Sequence, residues 1–144
     1  MQLKRSTLFN KISSVIKWLF IKIWYFKSFH SSFPFFIGRK AKIFIENGAI
    51  QIGSKARISD YCEIQSRDGE IKIGNNFNLN SFSRIIAFNE VIIGHNVTIA
   101  QFVSIIDHDH DYTTLDGNLS LDGYKINSIR IGSNVWIGDK VCIT

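Results

Sequence analysis

A β-solenoid of triangular section, in the all-β class, is the fold that this 144-residue sequence predicts. Three observations carry that expectation. Isoleucine, once replaced by leucine, returns every six residues in sets of three: Ile52, Ile58, Ile64; Ile73, Leu79, Ile85; Ile93, Ile99, Ile105; Ile131, Ile137, Ile143. Each set opens alike, as "IQIGSKA", "IKIGNNF", "VIIGHNV" and "IRIGSNV". The composition is rich in isoleucine and holds one proline and one methionine. β-Branched side chains are stiff at χ1 and pack well on pleated surfaces.

A period of six suits neither an α-helix nor a long strand. It suits a short strand and a corner, three times per coil, around an interior of aliphatic side chains. Two places ahead of each first member another β-branched residue repeats: Ile50, Ile71, Val91 and Ile129. That is strand alternation, with both residues on one face. The corners at Gly53, Gly74-Asn75, Gly94 and Gly132 supply residue types that tolerate positive φ. Stacked coils pair their strands in parallel, leaving only the two end coils with open edges.

Charge divides the chain. Residues 1–57 hold 11 of the 17 Lys and Arg and a single acidic residue, Glu46, leaving 6 basic against 11 acidic residues beyond. The basic segment is expected to meet an anionic surface; no nucleic-acid partner is expected. Its sequence, "LFNKISSVIKWLFIKIWYFKSF", reads as helical, but Lys11, Lys17, Lys22 and Lys27 leave no stretch long enough to span a bilayer. Short apolar runs with no small-residue cleavage site also fit a secretory signal poorly. Trp18, Trp24 and Tyr25 are residue types that sit at a membrane interface. Two placements stay open: peripheral contact with a membrane, or packing on the domain or a neighbouring subunit. The expected organisation is a basic aromatic helical segment over 1–36 and a solenoid domain over 37–144. Cys62 and Cys142 give neither a disulfide framework nor metal-like CxxC spacing, which favours a reducing cytoplasmic setting.

Successive sets are separated by 9, then 8, then 26 residues. The long step follows Ile105, at the corner that absorbs the extra residues in earlier coils. An insertion there leaves the prism without disturbing its core, so a protruding loop is expected near 106–126. It opens as "IIDHDHDY", placing His108 and His110 among Asp107, Asp109 and Asp111. By spacing alone this is either a reactive site or a solvated loop. Neutral imidazole can take a proton near pH 7, and flanking carboxylates favour the imidazolium that forms.

The units "IGSKAR-ISDYCE", "IGNNFN-LNSFSR", "IGHNVT-IAQFVS" and "IGSNVW-IGDKVC" resemble the hexapeptide repeat of the left-handed β-helix acyltransferases. Within that superfamily, "IGHNVTIAQFVSIIDHDHDY" and "INSIRIGSNVWIGDKV" closely resemble the sugar O-acetyltransferases, which include galactoside, maltose and many exopolysaccharide and O-antigen acetyltransferases. The resemblance covers roughly residues 40–144 and implies left-handed coils, although general chirality rules favour right-handed crossovers. It implies an acetyl-CoA-dependent O-acetyltransferase acting on a sugar hydroxyl of a surface polysaccharide or its precursor. It implies a homotrimer too, in the cytoplasm or at the inner face of the cell membrane.

Matched without gaps, the resemblance sets the catalytic base on His110, with His108 as the alternative and Asp107 and Asp109 as tuning carboxylates. It sets Asn80 and Trp136 near the acceptor, and Trp136 with Gly138 near the pantetheine of the cofactor. Phe82 stands where galactoside-type enzymes carry a functional asparagine, which points to a different acceptor. The chain stops at Thr144 while family members continue for further coils, so the domain reads as C-terminally truncated.

Two other readings compete. A non-catalytic or inactive solenoid would use the prism for binding or assembly. A γ-carbonic-anhydrase-like enzyme would hold zinc on His95, His108 and His110 across a trimer interface. The loop lacks that family's ligand spacing, and His95 sits in a Gly-x-Asn corner that turn chemistry explains; no metal site is expected.

Overall fold

The computed structural model of the chain describes residues 2–115 and 118–144. A helix, α1 (Gln2–Trp24), precedes five stacked coils of three strands each. The first coil comprises β1 (Phe29–Ser31), β2 (Phe35–Ile37) and β3 (Lys42–Ile45); the second β4 (Ala49–Ile52), β5 (Ala56–Ile58) and β6 (Glu63–Ser66). The third comprises β7 (Glu70–Ile73), β8 (Asn78–Leu79) and β9 (Arg84–Ala87); the fourth β10 (Glu90–Ile93), β11 (Thr98–Ile99) and β12 (Ser104–Ile106). A hairpin of β13 (His108–Leu115) and β14 (Asn118–Ile126) leads to the last coil, β15 (Ser128–Ile131), β16 (Trp136–Ile137) and β17 (Cys142–Ile143).

Corresponding strands pair in parallel into three five-stranded walls, forming a left-handed β-helix. The first wall runs β1-β4-β7-β10-β15, the second β2-β5-β8-β11-β16 and the third β3-β6-β9-β12-β17. The predicted rungs stack in register: Ile58 on Leu79, Leu79 on Ile99, Ile99 on Ile137. Inward side chains of the middle coils are fully buried, and burying each isoleucine contributes about 1.5–3 kcal/mol.

One coil more exists than the isoleucine sets foretell, opening at Phe29, ahead of residue 37. Phe29 pairs with Ile50 and Ser31 with Ile52, so a serine holds the place of the repeat's first isoleucine. That serine receives a hydrogen bond from Trp18 Nε1 of α1 at 2.7 Å. Helix α1 also completes β2, the edge strand of its wall. Ser14 Oγ accepts from Ile37 N at 2.7 Å and donates to Phe35 O at 3.5 Å, while Lys17 Nζ donates to Gly38 O at 2.6 Å. Interstrand bonds of a solenoid run along its axis, so a side chain that satisfies an edge strand lies beyond the last coil. The helix therefore lies across the end of the prism.

The corners correct one expectation. Positive φ falls on Lys55, Asn76, Asn96 and Asn134, not on the glycines that precede them. Gly53, Gly74 and Gly94 serve close approach instead: a Cβ on Gly74 would stand 2.7 Å from the backbone of Gly94. Asparagines link coil to coil, Asn76 Nδ2 donating to Asn96 Oδ1 and Asn96 Nδ2 to Asn134 Oδ1, both at 3.0 Å.

At the corner between the second and third walls, Tyr61, Phe82 and Phe102 all have positive φ. Their rings stack in a ladder, with centroids 5.0 Å apart for Tyr61–Phe82 and 5.1 Å for Phe82–Phe102. Lys40 Nζ covers the Tyr61 ring.

Candidate functional site

The edge between the third and first walls carries the site. In the second and third coils a short turn crosses this corner; in the fourth, the chain leaves as the antiparallel hairpin β13–β14. The protruding loop expected near 106–126 is this hairpin, with residues 116–117 outside the described residues.

Asp107 roots the hairpin. Its side chain is wholly buried, Oδ1 accepting from Phe88 N at 2.8 Å and Oδ2 from Asn89 N at 2.7 Å. Its carbonyl accepts from Asn127 N at 2.8 Å, tying the returning strand to the same corner. A buried carboxylate needs such donors, and two amides of the preceding coil supply them.

His108 follows and is largely buried. Its Nδ1 lies 3.4 Å from Asp107 Oδ1, and its ring sits against Phe88, with centroids 3.8 Å apart, and Tyr124 at 5.3 Å. His110 is exposed, and its ring lies 4.7 Å from that of Tyr124, which pairs opposite it in the hairpin register. No ring-nitrogen hydrogen bond of His110 occurs among the described residues. One imidazole is thus held and the other faces solvent, both against one tyrosine.

The aspartates part company. Asp109 accepts at Oδ1 from His110 N at 2.8 Å, a backbone contact that does not touch the ring. Asp111 pairs with Lys125 at 2.9 Å, which raises the lysine's pKa above its ordinary value. Of the carboxylates singled out in the sequence, only Asp107 meets an imidazole.

Asn80, Trp136 and Gly138 lie elsewhere. Asn80 follows β8 and donates from Nδ2 to Ile99 O at 2.8 Å. Trp136, 75% exposed, stands on β16 of the second wall, and Gly138 follows it with open space where a Cβ would be. In a triangular prism the second wall lies opposite the edge that bears the hairpin. Within one chain these three residues therefore do not join His110. His95 also stands apart, on the corner between the first and second walls, where Nδ1 accepts from Asn75 N at 2.9 Å.

Sequence reasoning passed over Phe88, Tyr124 and Arg67. Phe88 and Tyr124 cluster with His108 and with each other, their centroids 5.0 Å apart, and the Arg67 guanidinium lies 5.5 Å over Phe88. The available signal was the hairpin register, which sets Tyr124 opposite His110, but strand pairing is needed to read it.

No family model matches the chain, and no solved structure matches it. The chain is similar to a probable acetyltransferase of Mycobacterium tuberculosis, with 25% identity over 136 residues. The match covers 88% of this chain and 45% of the relative, so the chain spans about half the length of the curated relative it matches.

Proposed function

We propose that the chain is an acetyl-CoA-dependent O-acetyltransferase, with His110 as general base and a sugar hydroxyl of a surface polysaccharide or its precursor as acceptor. The observation that carries the reading is the solvent-facing imidazole of His110 on a hairpin rooted in a rigid prism. Similarity to a probable acetyltransferase supports the reaction class.

Acetyl-CoA supplies a thioester acyl group. His110 takes the acceptor hydroxyl's proton as the oxygen bonds to the acyl carbon; the carbon–sulfur bond then breaks, and the proton passes to the departing thiolate. Asp107 and Phe88 act through His108 and Tyr124, fixing the hairpin base so that His110 keeps its place. Trp136 and Gly138 offer an exposed aromatic and an open backbone for the pantetheine arm. Because the second wall faces away from the chain's own hairpin, a complete site needs the wall of a neighbouring copy. A homotrimer of parallel prisms supplies it.

The test is thiol release from acetyl-CoA with a sugar or polysaccharide acceptor. His110→Ala should lower it by about 10²–10⁴-fold, while His108→Ala should lower it less. Undiminished turnover in His110→Ala would remove His110 as the base.

A further inference from the structure

Helix α1 has two apolar faces, and only one is used. Ser14, Trp18, Ile21 and Tyr25 pack on the prism. At 3.6 residues per turn, Ile12, Ile16, Leu19 and Ile23 repeat that spacing on the opposite side. They are between 46% and 75% exposed, and Phe20 beside them is 64% exposed.

The cations mark the boundary between the two faces. Lys11 and Lys22 project on one flank and Lys17 on the other, and no acidic residue occurs between Gln2 and Trp24. Lys17 turns its ammonium in to Gly38 O at 2.6 Å, so Lys11 and Lys22 are the cations left to border the outward stripe. Since α1 lies across the end of the prism, the stripe faces outward along the axis.

We infer that this outward face of α1 is a docking surface for an anionic lipid bilayer, with the stripe seated among acyl chains and Lys11 and Lys22 at headgroup level, Lys17 being held by Gly38 O. The inference is independent of the proposed acetyl transfer. An interfacial helix needs an apolar stripe and a basic rim, and lysine stems reach from one to the other. Charge argues against a second copy as occupant. Two stripes placed face to face would bring like-charged rims together with no carboxylate in either helix to answer them. No described helix is long and apolar enough to cross a membrane, which fits a helix lying in the surface. The hairpin leaves the prism three coil steps from the first coil, about 14 Å along the axis at about 4.8 Å per step. Docking by α1 would leave that site clear of the lipid.

The experiment is flotation of the 144-residue chain with vesicles of phosphatidylcholine alone and of phosphatidylcholine mixed with phosphatidylglycerol. Binding is expected to the mixed vesicles, more weakly to the zwitterionic ones, and to fall as salt rises. Ile16→Ser with Phe20→Ser should weaken binding by about ten-fold or more. Thermal unfolding should stay unchanged, because neither side chain packs on the prism. Lys11→Glu in the otherwise unaltered chain should weaken binding to mixed vesicles by about five-fold or more, which keeps the test sound if the double variant misfolds. The inference is overturned if the chain ignores mixed vesicles, or if the substitutions leave binding unchanged. Sedimentation that reveals self-association abolished by the double substitution would give the face to a second copy and overturn it equally.

Discussion

The Asp107 carboxylate lies 3.4 Å from Nδ1 of His108 and is itself held by the amides of Phe88 and Asn89. One buried group thus links a turn of the third coil to the root of the hairpin. Asp107→Asn keeps the shape but turns one acceptor into a donor aimed at an amide. Leaving a buried donor without a partner costs about 1–3 kcal/mol. Urea denaturation should register a loss of that size. If the hairpin positions His110, thiol release should fall in kcat more than in KM. Unchanged stability would mean that the corner relaxes and that Asp107 does not root the hairpin.

Gly74 tests the corners. Its missing Cβ would stand 2.7 Å from the carbonyl group of Gly94 in the next coil, and backbone cannot yield as a flexible side chain can. Gly74→Ala should cost about 1–3 kcal/mol, the range of an overpacked core. Gly132→Ala should be close to neutral, because a Cβ there meets nothing within 4 Å. Equal effects at the two sites would refute the close-approach account.

The solenoid was legible because its rule is periodic and each period leaves an aliphatic residue. It failed where the rule was kept by other chemistry. In the first coil Ser31 stands for isoleucine, sealed by Trp18 of α1, and Phe29 and Phe35 replace smaller apolar residues. No six-residue count finds a serine whose partner lies 13 positions away on a helix. The hairpin's place was legible from the broken spacing, but its contents were not. The meeting of His108, Phe88 and Tyr124 depends on which residues face across β13 and β14.

The two cysteines should differ in reactivity. Burial pushes the Cys62 thiol up from its ordinary value of 9.0, whereas Cys142 is exposed. The thiolate is the reactive form, so iodoacetamide at neutral pH should label Cys142 in the folded chain and both cysteines in urea. The shift also has a sign in stability. The unfolded thiol ionises around 9.0 and the folded thiol higher, so above that pH the unfolded state holds fewer protons. Stability should therefore fall as pH rises past 9.0, and Cys62→Ala should lessen the fall. Rapid labelling of Cys62 in the folded chain would contradict its burial.

The aromatic ladder reverses a usual order of substitution. Phe82 holds φ at 64°, a conformation that costs a residue with a Cβ about 1–2 kcal/mol and glycine almost nothing. Its ring is retained through two stacked neighbours, each contact contributing about 0.5–1.5 kcal/mol. Phe82→Ala loses both contacts and keeps the backbone cost, so it should destabilise by about 1–3 kcal/mol. Phe82→Gly loses the same contacts but sheds the backbone cost, and should destabilise by about 1–2 kcal/mol less than alanine does. Phe82→Asn should lie between them, since asparagine tolerates this region better than alanine. Alanine is normally the milder replacement, so chemical denaturation that ranks glycine above it would establish that stacking holds a strained corner. The opposite ranking would mean that the backbone is relaxed and the ladder merely sits on it.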